Sequence, residues 1–159
     1  MMKRMALLAL VALAPLGLAQ GSDRGAARLA VGSKTFSIDY GRPGLKGRDM
    51  LGQSQVGLAW RMGADAATSL KTEADLAFGA VNVPKGEYIL TATKVAADTW
   101  HLNVLAKADR AKVAEIPLTQ GTLPQSVEMF TIALKGEKEK GEFEMHWGTT
   151  ALKAAFTGK

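Results

Sequence analysis

The chain has 159 residues, a formal net charge of +5 and no cysteine. That length suits one domain with a real core. The missing cysteine excludes disulfides, thiol catalysis, iron–sulfur or cysteine-type zinc sites and a lipid-modified cysteine. The positive balance does not point to nucleic acid, because no dense basic run or aromatic–basic interleaving accompanies it.

Lys3 and Arg4 precede an apolar run, Met5 to Leu18, and Gly17-Leu-Ala19 places small residues at −3 and −1 before Gln20. This reads as a secretory signal peptide over residues 1–19, so the protein is expected to be secreted or periplasmic. The run is shorter than the roughly 20 apolar residues of a bilayer span, and no transmembrane segment is expected after cleavage. Losing Lys3 and Arg4 lowers the charge from +5 to +3. Residues 20–64 then hold seven Lys and Arg against three acids, and residues 65–159 hold eleven against twelve. The excess therefore lies early in the mature chain.

Residues 20–27 read as a flexible polar leader, and residues 28–157 as a single domain. Arg28 to Val31 reads as a strand, Gly32-Ser33 as a two-residue hairpin turn, and Lys34 to Tyr40 as a half-buried strand with Phe36, Ile38 and Tyr40 on one face. Arg42-Pro-Gly-Leu45 predicts a type II turn centred on Pro43-Gly44, with Met50, Leu51 and Val56 tucking the following loop down. Further strands are predicted over 56–61, 67–71, 75–78 and 80–83, with Gly63-Ala-Asp65, Gly79 and Pro84-Lys-Gly86 as turns. Glu87 to Thr93 is rich in Tyr, Ile, Leu and Thr and reads as a strand. Trp100, Leu102 and Val104 alternate with His101 and Asn103. Residues 106–112 and Thr119 to Pro124 read as loops, with a strand over 113–118 between them. Val127 to Leu134 reads as a central strand, Lys135 to Glu142 as a charged hairpin loop, and Phe143, Met145 and Trp147 as the inward face of a strand. Leu152 to Phe156 closes the sheet. About ten short strands with frequent turns and no long amphipathic helix predict an all-β fold, an antiparallel β-sandwich of jelly-roll or immunoglobulin-like type.

Four segments, Ser37-Ile-Asp-Tyr-Gly-Arg-Pro-Gly-Leu-Lys-Gly-Arg48, Trp60-Arg-Met-Gly-Ala-Asp65 with Ala67-Thr68, Pro84-Lys-Gly-Glu-Tyr88 and Glu128-Met-Phe-Thr-Ile132, occur in an order and spacing that resembles a bacterial family catalogued as domain of unknown function 2911. The resemblance covers residues 27–156. It implies an exported β-sandwich and no established reaction. Asp65 departs from the Asn the resemblance leads one to expect, and an ionised carboxylate cannot donate hydrogen bonds as an amide does.

The candidate binding residues are Arg42, Lys46, Arg48 and Arg61, with Asp39 and Asp65 beside them. Guanidinium groups on two adjoining loops can clamp a small anion, an acidic glycan or a partner protein through bidentate bonds. The same arginines can instead brace the loops through acids and backbone carbonyls. In the alternative reading, an envelope-associated hydrolase, Asp39 or Asp65 is the working carboxylate and an arginine the electrostatic stabiliser. Neighbouring cations suit a nucleophile or base more than a proton donor. His101 and His146 lie on polar strand faces without HxH or HExxH spacing, so neither a metal site nor a cofactor is expected. No nucleophile elbow or phosphate-binding loop is present. Trp60, Trp100 and Trp147 fall on apolar strand phases and are assigned to the core rather than to a sugar-stacking platform.

Overall fold

A computed structural model describes residues 23–159. The expected signal peptide and residues 20–22 lie outside them. The described residues contain no helix, and ten strands form one antiparallel network. These are β1 (Arg24–Val31), β2 (Lys34–Gly41), β3 (Ala59–Trp60), β4 (Ser69–Thr72), β5 (Leu76–Phe78), β6 (Val81–Val83), β7 (Gly86–Ala96), β8 (Thr99–Ala106), β9 (Lys112–Glu137) and β10 (Lys140–Gly158). Their spatial order is β1-β2-β4-β7-β8-β9-β10-β5-β6, with β3 added beside β7.

The alternating segments behave as their period requires. Phe36, Ile38 and Tyr40 of β2 are buried, as are Trp100, Leu102 and Val104 of β8 and Phe143, Met145 and Trp147 of β10. The network curls until its first strands face its last. Phe36 meets Phe156 edge-on at 5.3 Å, Tyr40 meets Phe130 at 5.6 Å, and the Tyr40 hydroxyl donates to the Ile132 carbonyl at 3.3 Å. One contiguous core results, in which each fully buried large side chain contributes about 1.5–3 kcal/mol.

β10 is not straight. Lys153 follows Glu144 by nine positions, about 30 Å along an extended strand, yet its ammonium lies 3.3 Å from the Glu144 carboxylate. Gly158 N–H also donates to the Glu139 carbonyl at 2.8 Å. β10 therefore folds back on itself near Gly148, whose φ is +60°, a conformation glycine adopts without steric cost. β9 follows this path, pairing with the first arm through Val127–Glu137 and with the second through Thr119–Thr122.

Several expectations change. β1 begins at Arg24, so residues 24–27, read as leader, pair with β2. Pro43-Gly44 is not the turn. Gly44 bridges Met129, Phe130 N–H bonds the Pro43 carbonyl and Leu45 N–H bonds the Glu128 carbonyl, which keeps this segment extended along β9. The turn falls at Lys46-Gly47, both with positive φ, closed by Arg48 N–H on the Leu45 carbonyl at 3.1 Å. Only Ala59–Trp60 of the predicted 56–61 strand forms a ladder, and Val56 is exposed while Leu51 is buried. Thr119 to Pro124 is strand rather than loop. Pro124, which has no N–H, lies between the two registers of β9, where its missing donor costs no ladder bond. The charged hairpin is tighter than expected, because β9 and β10 run up to a turn at Lys138-Glu139.

Candidate functional site

The two arginine stretches do come together. Gly41 packs so closely on Ala64 that a Cβ there would overlap the Ala64 carbonyl oxygen. The 62–68 segment is locked by the Thr68 hydroxyl donating to the Met62 carbonyl at 2.6 Å, both residues being fully buried.

The arginine heads, however, turn to the protein. Arg42 Nε donates to the Phe130 carbonyl and Nη2 to Thr131 Oγ1, each at 3.3 Å. Arg61 Nη2 donates to the Asp65 carbonyl. Arg24, which sequence reading left in the leader, donates through Nη1 to the Ala66 carbonyl at 3.2 Å and through Nη2 to the Asp39 carboxylate. Three guanidinium groups thus brace neighbouring backbone, which a planar fork of five donors does well. Lys46 and Arg48 are exposed, and the Lys46 backbone N–H bonds Glu128 Oε1 at 3.0 Å. Asp39 lies on the outer face of β2, in a depression of about 230 Å³ shared with Ser37, Ser69, Lys71, Glu87 and Lys107. Asp65 sits in a turn at φ +60°.

The cleft at this end is built from other residues. The loop after β2, the β7–β8 turn, β9 and the fold-back of β10 enclose about 280 Å³, lined by Asp49, Leu51, Gly52, Lys94, Ala97, Asp98, Trp100, Gln120 and Thr150. Lys94 is 9% exposed. Its ammonium donates to the Gly52 carbonyl at 3.3 Å and makes no ion pair among the described residues. An ammonium has three N–H donors, so two remain. Asp49 shapes the rim by accepting Gly52 N–H at 2.9 Å. Leu51 and the Trp100 indole supply apolar wall. Two carboxylates, one ammonium, an amide and a hydroxyl therefore converge on a cleft of small-molecule size. A wider concavity of about 870 Å³ runs along the Lys135–Glu142 hairpin, but that hairpin alone lines it, so nothing faces a ligand there. Sequence reading missed Lys94, although the signal existed: 88, 90, 92 and 94 share one strand phase, and Tyr88, Leu90 and Ala92 are core.

Behind Trp100 lies an aromatic cluster. Trp60 stacks on Trp147 at 5.6 Å with planes 17° apart, and meets Phe130 at 5.0 Å and Trp100 at 6.3 Å. Trp147 Nε1 donates to the Glu128 carbonyl at 3.1 Å. The indoles are core, as their strand phase implied, with Trp60 half-buried.

The histidines separate. His101 Nδ1 lies 2.7 Å from Glu115 Oε1, and His146 Nε2 lies 3.1 Å from Glu144 Oε2. Among the described residues no group of three or more His, Asp or Glu side chains is placed to hold a metal. Glu144 is nearly inaccessible, with Lys135 and Lys153 ammonium groups 3.1 and 3.3 Å from its oxygens. Burial pushes its carboxyl up, but hydrogen bonds from Glu142, Lys135 and Lys153 outweigh burial and hold it at about 2. Glu142 moves the opposite way, raised first by its hydrogen bond to Glu144 and then by burial. The two carboxyls retain a proton between them over a range where separate glutamates would lose it.

No helix among the described residues is long and apolar enough to cross a membrane. A family model described as "Protein of unknown function (DUF2911)" matches residues 22–156, and the chain belongs to that family. No curated protein and no solved structure matches the chain.

Proposed function

We propose that this family member is an exported binding module, a β-sandwich of jelly-roll or immunoglobulin-like type whose loop end holds a small hydroxyl-rich ligand such as a sugar unit of an envelope glycan. One observation carries the reading: the buried Lys94 ammonium has a single carbonyl partner and opens on a cleft that also holds Asp49, Asp98, Gln120 and Thr150. A buried cation with spare donors is costly unless something completes its shell. The lining carries two acids against one ammonium, so it suits hydroxyl groups, which both donate and accept, better than the simple anion expected from the arginines. The Arg42 and Arg61 heads do not line the cleft, and each is occupied by a backbone carbonyl elsewhere. Catalysis by Asp39 or Asp65 has less support. Asp39 is bound by Arg24 on an exposed face, and the turn carrying Asp65 is strapped by Arg61.

The test is a thermal-shift screen of wild type, Lys94→Met and Arg42→Ala against neutral sugars, polyols, phosphate, sulfate and small carboxylates. A ligand at about 100 times its dissociation constant stabilises by roughly 2.7 kcal/mol. A sugar or polyol should shift wild type and Arg42→Ala but not Lys94→Met. A shift that survives Lys94→Met and disappears in Arg42→Ala would return the site to the arginines. No shift by any compound would sink the reading.

A further inference from the structure

The charges that line the Lys94 cleft do not cancel one another. Lys94 is the buried charge, while Asp49 and Asp98 are exposed. Among the described residues the ammonium bonds the Gly52 carbonyl and neither acid. Asp49 gives Oδ1 to Gly52 N–H at 2.9 Å, and its other oxygen receives no donor. The side chains of Asp98, Gln120 and Thr150 make no hydrogen bond or ion pair with any described residue. Two carboxylates and one ammonium leave the lining with a net charge of −1. A neutral ligand leaves that charge in place and an anion adds to it. A ligand with one cationic group cancels it. Like charge keeps such a group away from Lys94 and directs it to the acids.

We infer that the ligand is an amino sugar with a free, protonated amine, its hydroxyl oxygens accepting from the Lys94 ammonium and its amine donating to Asp49 and Asp98. The inference rests on reading this cleft as the site of a hydroxyl-rich ligand, and it adds the charge that ligand carries. Hydroxyl oxygens complete the shell of the buried ammonium. The amine supplies donors to carboxylates that can only accept. An N-acetylated sugar keeps the ring but loses the positive charge, so the cleft discriminates against it. Gln120 and Thr150 can bond ring hydroxyls in either direction.

Titration calorimetry of the full chain with glucosamine, glucose and N-acetylglucosamine separates charge from shape, because the three share one ring. Glucosamine should bind more tightly than either neutral sugar, by roughly fivefold for one exposed ion pair. The advantage should shrink in high salt, which screens exposed charges. In Asp49→Asn/Asp98→Asn, which keeps the shape of both side chains, the ratio of glucosamine to glucose affinity should fall to parity. Lys94→Met should lose all three sugars. Equal affinities for glucosamine and glucose, both lost in Lys94→Met, would overturn the inference and leave the sugar cleft standing. A glucosamine preference that survives Asp49→Asn/Asp98→Asn would also overturn it, by placing the amine elsewhere. Binding that survives Lys94→Met, or no binding of any of the three, would overturn the cleft reading and the inference together. If Lys94→Met does not fold, the double asparagine variant, altered only at exposed residues, decides the inference by itself.

Discussion

Glu144→Gln isolates the buried carboxylate of β10. Its carboxyl is held at about 2 instead of the ordinary 4.5. At about 1.4 kcal/mol per pH unit, that corresponds to roughly 3 kcal/mol of stability. The sign follows from the depressed value: the contribution is complete above about 4.5 and is lost as pH falls through about 2. Glu142 opposes it. Its pKa is raised, so its contribution is complete below 4.5 and is lost as pH rises through its folded value. Lys135 and Lys153 are themselves largely solvated, which screens the ion pairs further. The net expectation is a loss on the order of 2 kcal/mol for Glu144→Gln at pH 7, a fall in Tm of roughly 8 °C for a domain of this size. The loss should shrink toward zero near pH 2. Urea unfolding of wild type and Glu144→Gln between pH 2 and 8 measures it. A loss of constant size across that range would refute the reasoning, because packing and not ionisation would then be responsible.

Arg42→Ala should cost about 1–3 kcal/mol in urea unfolding, because it strips the Phe130 carbonyl and the Thr131 hydroxyl of a charged donor. Gly41→Ala should cost more than about 3 kcal/mol or prevent folding, since the new Cβ meets rigid backbone at Ala64. Loss of near-ultraviolet circular dichroism reads it. Phe130→Ala should cost about 3–5 kcal/mol, because Phe130 is fully buried against Tyr40, Trp60 and Trp147. Altered tryptophan fluorescence should accompany the earlier unfolding.

Local pattern decided much of this molecule. Period two along Lys34 to Tyr40 and Thr99 to Ala106 fixed which side chains entered the core, because a pleated strand sends alternate residues to opposite faces. Gly32-Ser33 was legible as a turn and Gly79 as a break between strands for the same local reason: glycine admits the positive φ seen at 32 and 79. The all-β character and the family resemblance required no partner strand to be known.

Partners across the fold decided the rest. Pro43-Gly44 has the composition of a turn, but hydrogen bonds to Glu128 and Phe130 are available only once β9 lies alongside, and they hold it extended. Thr119 to Pro124 has the composition of a loop, and the second arm of β10 supplies the ladder that makes Thr119–Thr122 strand. The arginines were legible as braces as well as anion ligands, but their particular acceptors were not, because the carbonyls of Phe130, Asp65 and Ala66 carry no sequence signature. Lys94 was visible as an inward phase, yet its cleft is lined from Asp49 to Thr150. Sequence by itself fixes the faces of strands and the conformations that glycine allows, since both act within a few residues. Only the closed fold sets which distant groups share a pocket or satisfy a guanidinium, since those energies exist only after separated strands have met.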